Sequence, residues 1–270
     1  MARSRGARVR NLKGETQTVF VRPATSRQEL EEAYRLVYHS YLQRGYVAED
    51  PARIRYTLFN MFPGTATFIG AANHDVVSTV TLIPDSPAGL PMDDIYRDEL
   101  QPLRDQGRRI TEVTMLADRR CDFERTIDML LRLMKLVFDY ATLVLKATDM
   151  CITINPRHEK FYRRFLLFEA LGEMKTYPTV QDNPALLERL DLVRVREECE
   201  GRQHLIDQFF EDRTPLDEFD KRYRLSDDDV RYFCIELLPL LESASPEAMA
   251  HLREARPSCP WDEWLGRAAG

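Results

Sequence analysis

Apolar and polar positions along the 270-residue chain switch between two repeats, about two and about 3.6 residues, and the switches mark the elements. Thr18–Pro23 predicts a first strand that its proline ends. Thr25 or Ser26 then caps a helix with Glu29 near its first turn, apolar at Leu30, Ala33, Tyr34, Val37, Tyr38 and Tyr41 and ended by Gly45. Residues 65–72 and 76–83 read as two strands joined by the tight turn Asn73-His74-Asp75, hence a hairpin. Residues 84–107 form an insertion with a short helix around Asp93–Leu100, longer than an ordinary connection and so a candidate lid or binding loop. Arg109–Leu116 is a further strand, with Ile110, Glu112 and Thr114 on one side and Thr111, Val113 and Met115 on the other. Thr126–Leu145 has the spacing of a long helix.

The stretch 151–172 reads strand, turn, basic helix, strand. Cys151–Ile154 is a short buried strand, stopped by Asn155 and Pro156. The helix after it places Phe161, Phe165 and Leu166 on one face and Arg157, Lys160, Arg163 and Arg164 on the other. Leu190–Val195 alternates as a last strand, and beyond it the texture is helical, with N-terminal signals at Ser226–Asp229 and Ser245–Glu247.

Composition narrows the class. Hydrophobic residues at 44% and charged residues at 30% are ordinary for a globular protein. Five widely spaced cysteines with no Cys-x-x-Cys argue against a disulfide framework and a zinc site, and suit a reducing, cytoplasmic compartment. No apolar run follows the basic start and none is long enough for a membrane span. The net charge of −6 is uneven: residues 197–270 hold 18 acidic and 9 basic side chains (−9), leaving 26 acidic and 29 basic in 1–196 (+3). The chain thus divides into residues 1–16, a basic arm expected to be disordered or weakly drawn to an anionic partner or lipid surface, a core at 17–196, and an acidic helical extension at 197–270. The acidic extension speaks against nucleic acid as a partner.

Several positions carry candidate chemistry. Glu112 lies in mid-strand, where a carboxylate is disfavoured; it is either an exposed or Arg109-paired edge residue or a general base with a raised pKa. Thr114 and Met115 follow it as candidate substrate contacts. Tyr41, Arg44 and Tyr46 close the first helix in an aromatic cluster that is either packing or an acceptor pocket, with Arg44 able to clamp a carboxylate. His158 precedes Tyr162 by one turn, as a surface histidine or a second acid/base group. Arg119, Arg120, Arg125, Arg157, Lys160, Arg163 and Arg164 form either solvated helix faces or a docking surface for an acidic protein.

Asn155, Phe161-Tyr162 and Phe168-Glu169 together resemble the signature of the GCN5-related N-acetyltransferase (GNAT) fold. The wording Asn155-Pro-Arg-His-Glu-Lys-Phe-Tyr-Arg-Arg164 is similar to that of the N-acyl amino acid synthases, relatives of the acyl-homoserine lactone synthases, with Leu167 standing where that family usually has glycine. The resemblance, over about Val19–Arg196, implies an α/β fold whose mixed central sheet has its fourth and fifth strands splayed apart to admit the pantetheine arm of a thioester. It implies Glu112 as base, Tyr162 as the acid that protonates the leaving thiolate, and Asn155 as a contact to the thioester or pantetheine amides. It implies no metal or redox cofactor, but acyl-phosphopantetheine as donor substrate and an amino acid as acceptor. Coenzyme A users of this fold carry a glycine-rich pyrophosphate loop at the third helix; the equivalent stretch, 117–126, has no glycine, which favours a long-chain acyl carrier protein as donor. An acyl-homoserine lactone synthase, a coenzyme A-dependent acyltransferase and a non-catalytic acyl-chain or carrier-protein sensor are the competing expectations.

Overall fold

The computed structural model describes residues 7–10, 16–73, 75–119, 123–199 and 201–268. Strands β1 (Ala7–Arg10), β2 (Thr16–Pro23), β3 (Ala66–Ala72), β4 (Asp75–Pro84), β5 (Ile110–Asp118), β6 (Asp149–Ile154), β7 (Glu169–Ala170), β8 (Lys175–Tyr177) and β9 (Asn183–Asp191) form one sheet in the order β1-β2-β3-β4-β5-β6-β9-β7, with β8 on β9. All neighbours are antiparallel except β5 and β6. Residues 7–10 thus form an edge strand on β2 where a disordered arm was expected, and this extra strand makes the expected fourth and fifth strands β5 and β6 here.

Helices cover both faces. Helix α1 (Arg27–Gln43) starts at Ser26, whose hydroxyl accepts from the Glu29 N–H. Glu29 in turn takes both arms of the Arg22 guanidinium at 2.8 and 2.5 Å, which holds its carboxyl down at about 2 and ties β2 to the helix. Helix α2 (Asp93–Asp105) belongs to the insertion, which is no loose lid: Leu90, Met92, Tyr96 and Leu100 are fully buried against Ile83, Ile110 and Cys151. Helices α3 (Phe123–Asp139) and α4 (Glu159–Leu166) lie on the opposite face, over Phe68, Val80, Val113, Met150 and Ile152.

Two local readings need correction. The last strand is β9, not 190–195: residues 192–194 turn, and Val195–Glu198 is helical. The alternation in β9 is masked by Glu188, a carboxylate with no exposure that reaches Arg163 Nε at 2.9 Å. Helix α4 buries Tyr162 and Leu166, one position round from the expected Phe161–Phe165 stripe, while Phe165 is 43% exposed and stacks on Phe161. The helix ends at Leu167 with φ 60°, the left-handed conformation that the usual glycine would adopt without a Cβ penalty.

The change of charge at 197 has no counterpart in packing. Leu205 and Phe219 join the core under α3, and Val230, Phe233, Leu252, Trp261 and Trp264 join the core under α1. The Tyr223 N–H donates to Ala24 O at 2.7 Å where the segment passes the start of α1. Among the described residues no helix is long and apolar enough to cross a membrane.

Candidate active site

Strands β5 and β6 pair from Ile110↔Asp149 to Val113↔Ile152 and no further. Beyond that point β5 stays with β4 and β6 stays with β9, so a gap opens between Thr114–Asp118 and Thr153–Ile154. At the same place β5 bulges: Thr81 pairs with Thr114 and Thr79 with Ala117, so two residues, Met115 and Leu116, stand opposite Val80 alone. Met115 takes φ 53° to do this. The expected alternation therefore fails here, and Thr114 and Met115 reach the same cavity from adjacent positions.

That cavity, about 960 Å³ including its open mouth, lies on the α1/α2 face. Its walls are Tyr41 and Tyr46 from the end of α1, Arg55, Thr57 and Phe59 from the following loop, and Pro91 and Asp94 from the insertion. Glu112, Thr114 and Met115 come from β5, Thr153, Ile154 and Asn155 from the end of β6, and Tyr177, Thr179, Val180 and Asn183 from the β8–β9 turn.

Glu112 is only 3% exposed. Its Oε2 accepts from the Met92 N–H at 2.9 Å, a donor that the insertion brings to the floor of the cleft. Burial pushes its carboxyl up to about 8; the Met92 hydrogen bond opposes the shift, and Asp93 and Asp94 add to it. The position of Met92 is fixed in turn by Asp93, which accepts from Leu90 N and from Arg104, while Arg104 also holds Asp85. Gly89 is required in this turn: at φ 77° a Cβ would sit 2.2 Å from Asp93 Oδ2. The edge-strand reading of Glu112 is thereby overturned; the carboxyl is buried, pairs with no arginine among the described residues, and opens on a cleft.

Tyr41 and Tyr46 meet edge to face at 5.7 Å, and burial raises the Tyr41 hydroxyl, an effect that Arg55 opposes and Glu112 strengthens. Asn155 accepts from the Arg157 N–H, and Arg157 Nη2 donates to the Tyr46 hydroxyl at 2.9 Å, closing the rim. Tyr177 donates to Pro91 O at 3.0 Å, and Thr179 donates to Asp94 at 3.0 Å.

Other candidates lie elsewhere. Tyr162 does not line the cleft. It packs edge-on against Phe161 and Phe168 on the α3/α4 face, where burial raises its hydroxyl well above the ordinary value and Tyr41 adds to the shift. Its ring belongs to the α3/α4 side, while its hydroxyl is near enough to that of Tyr41, a wall of the cleft, to be raised by it. His158 is exposed, accepts from Arg157 Nε, and is lowered by partial burial and by Arg157 and Arg44. Arg44 is not a clamp in the cleft: its guanidinium folds back onto Ser40 of its own helix, because Ser40 sits one turn earlier on the same side. Of the basic candidates, Arg163 is engaged by Glu159 and Glu188, Arg157 by the rim, and Arg164 lies over Phe165. Arg119 and Lys160 are exposed; Arg120 and the side chain of Arg125 lie outside the described residues.

Sequence reasoning did not point to Arg55, Asp94, Thr153, Tyr177 or Asn183. Arg55 had a usable signal, since Ile54 and Tyr56 on either side are buried and alternation puts the arginine on the other side. The rest come from turns whose direction no local pattern specifies.

Comparison with known proteins agrees with this geometry. The family described as N-acyl amino acid synthase FeeM matches residues 32–191. Among solved structures, FeeM from uncultured soil microbes, an N-acyl amino acid synthase, is 30% identical, with a TM-score of 0.59 over 67% of this chain and 95% of its own. The acyl-homoserine lactone synthase LasI shares the fold at 12% identity, with a TM-score of 0.51 over 74% of this chain and 98% of its own. No curated protein sequence matches. A family match across more than half of the chain, on a sheet whose β5 and β6 part, makes this protein an N-acyltransferase belonging to the N-acyl amino acid synthase FeeM family.

Proposed function

We propose that this chain moves a long-chain acyl group from acyl carrier protein to the α-amine of an amino acid. The observation that carries the reading is Glu112, buried beside the point where β5 and β6 stop pairing, with a carboxyl poised near 8. In this reading a thioester carbonyl lodges in that gap, with Glu112 serving the amine and Tyr162 serving the sulfur. The amine nitrogen attacks the carbonyl carbon as Glu112, directly or through water, takes its proton; the C–S bond then breaks and the sulfur leaves with a proton from Tyr162. Asn155, at the end of β6, is placed to hold the amides of the pantetheine arm. The lack of glycine in 117–126 and the exposed cations Arg119, Lys160 and Arg164 support a carrier protein over coenzyme A as donor.

The test is incubation of the purified protein with palmitoyl-acyl carrier protein and the twenty amino acids, with palmitoyl-coenzyme A in parallel, followed by mass spectrometry. An N-palmitoyl amino acid formed faster from the carrier protein is expected. Absence of acylated product from both donors sinks the reading; faster reaction from coenzyme A sinks its donor.

A further inference from the structure

We infer that Arg55 is the residue that grips the acceptor's carboxylate, and so restricts the enzyme to amines that carry one. The inference rests on the reading of the cleft as an acyl-transfer site, and adds to it the position and the unmet charge of Arg55.

Arg55 follows α1 in a segment whose neighbours are anchored: Ile54 and Tyr56 are buried, and the Arg55 N–H donates to Tyr34 O at 3.1 Å. The side chain is half-buried and lines the cleft. Among the described residues nothing forms a hydrogen bond or an ion pair with its guanidinium. Arg22, Arg104, Arg108 and Arg189, which are comparably covered, each hold at least one carboxylate. The charge of Arg55 acts on the hydroxyls of Tyr41 and Tyr177, which enter the cleft from different elements, and Glu112 acts on the same two hydroxyls. Arg55 and Glu112 line the same cavity.

Glu112 does not neutralise Arg55, because burial keeps it largely protonated at neutral pH. A half-buried cation without a counter-charge is costly, and a carboxylate is the ligand that relieves it, through the two parallel N–H···O bonds that a guanidinium offers. An α-amino acid carries its amine and its carboxylate on one carbon. With the carboxylate on Arg55, the amine is held on the Glu112 side of the cleft, where it must lose a proton. The arrangement makes Arg55 a specificity residue: it sorts acceptors by charge and does not itself move a proton.

Binding and turnover are measured on the full chain, in the wild type, Arg55→Met and Arg55→Lys, after equal thermal unfolding confirms that the variants fold. The binding probes are N-lauroylglycine and its primary amide, titrated calorimetrically. The wild type is expected to bind the carboxylate at least tenfold more tightly than the amide, Arg55→Met to bind the two alike, and Arg55→Lys to keep part of the preference because it retains the charge but not the fork. Turnover uses palmitoyl-acyl carrier protein with the best amino acid and its amide; Arg55→Met should raise KM for the amino acid at least tenfold and so erase the wild type's preference for the amino acid over the amide. A wild type that binds both probes equally, or a preference that survives in Arg55→Met, overturns the inference even if turnover is robust. If no amine is acylated, the proposed function falls, and the binding arm alone still decides what Arg55 does.

Discussion

As the proposed base, Glu112 should set how the activity varies with pH. In that role its carboxyl is ionised when it accepts a proton from the amine, so kcat/KM is expected to climb about tenfold per pH unit and level off above about 8, where half of the groups are ionised. Glu112→Gln should lower turnover by roughly 10²–10⁴-fold, with the far-ultraviolet spectrum unchanged. Stability should move the other way. The folded chain keeps the proton between 4.5 and about 8, where the unfolded chain has lost it, so this group makes the fold less stable as pH rises through that interval. Glu112→Gln removes that slope, which denaturant titrations at pH 5 and pH 9 measure. Tyr162→Phe keeps a buried ring among Phe161 and Phe168, where the hydroxyl has no hydrogen bond among the described residues to lose; unfolding should shift by less than about 1 kcal/mol while the rate with acyl carrier protein falls, and an unchanged rate removes Tyr162 from the reaction.

At the scale of elements, the insertion is the support of the site. Gly89, Asp93 and Arg104 lock the turn that aims the Met92 N–H at Glu112. Gly89→Ala meets both an unfavourable φ of 77° and the Asp93 carboxylate, and is expected to cost roughly 1–2 kcal/mol or more in denaturant titration. It should also move the pH midpoint of kcat/KM upward, because Glu112 loses the donor that opposes its shift. Most of this was legible in outline: the strand around Glu112, the break at Asn155 and the helix bearing Tyr162 follow from period and proline. The short strands β7 and β8 and the early start of β9 at Asn183 were not, since pieces of two or three residues carry no period and a buried Glu188 imitates a surface position. The bulge at Met115 was hidden for a related reason, because one inserted residue leaves the local composition unchanged while it shifts every later side chain.

In the whole molecule, the acidic last quarter belongs to the same core as the catalytic sheet. Asp139 of α3, fully buried, binds Lys135 at 2.6 Å, Arg213 at 2.7 Å and the Thr214 N–H at 2.8 Å. Asp139→Ala strands two cations and should cost about 3–5 kcal/mol in equilibrium unfolding. The charge pattern marked a boundary at 197 that packing does not respect, since net charge reports on solvent-facing atoms and the residues that join the cores are apolar. The position of those residues in the chain has a consequence for biosynthesis. Phe233 lies 4.5 Å from Tyr56 in a stacked pair, and Trp261 and Trp264 seal the same cluster over α1 and β5. As the polypeptide leaves the ribosome, the segment bearing Glu112 emerges well before these partners, so its apolar face awaits a cover still being translated. Maturation of the cleft thereby waits on the synthesis of residues 230–264, and until they arrive the nascent chain carries an uncovered apolar face.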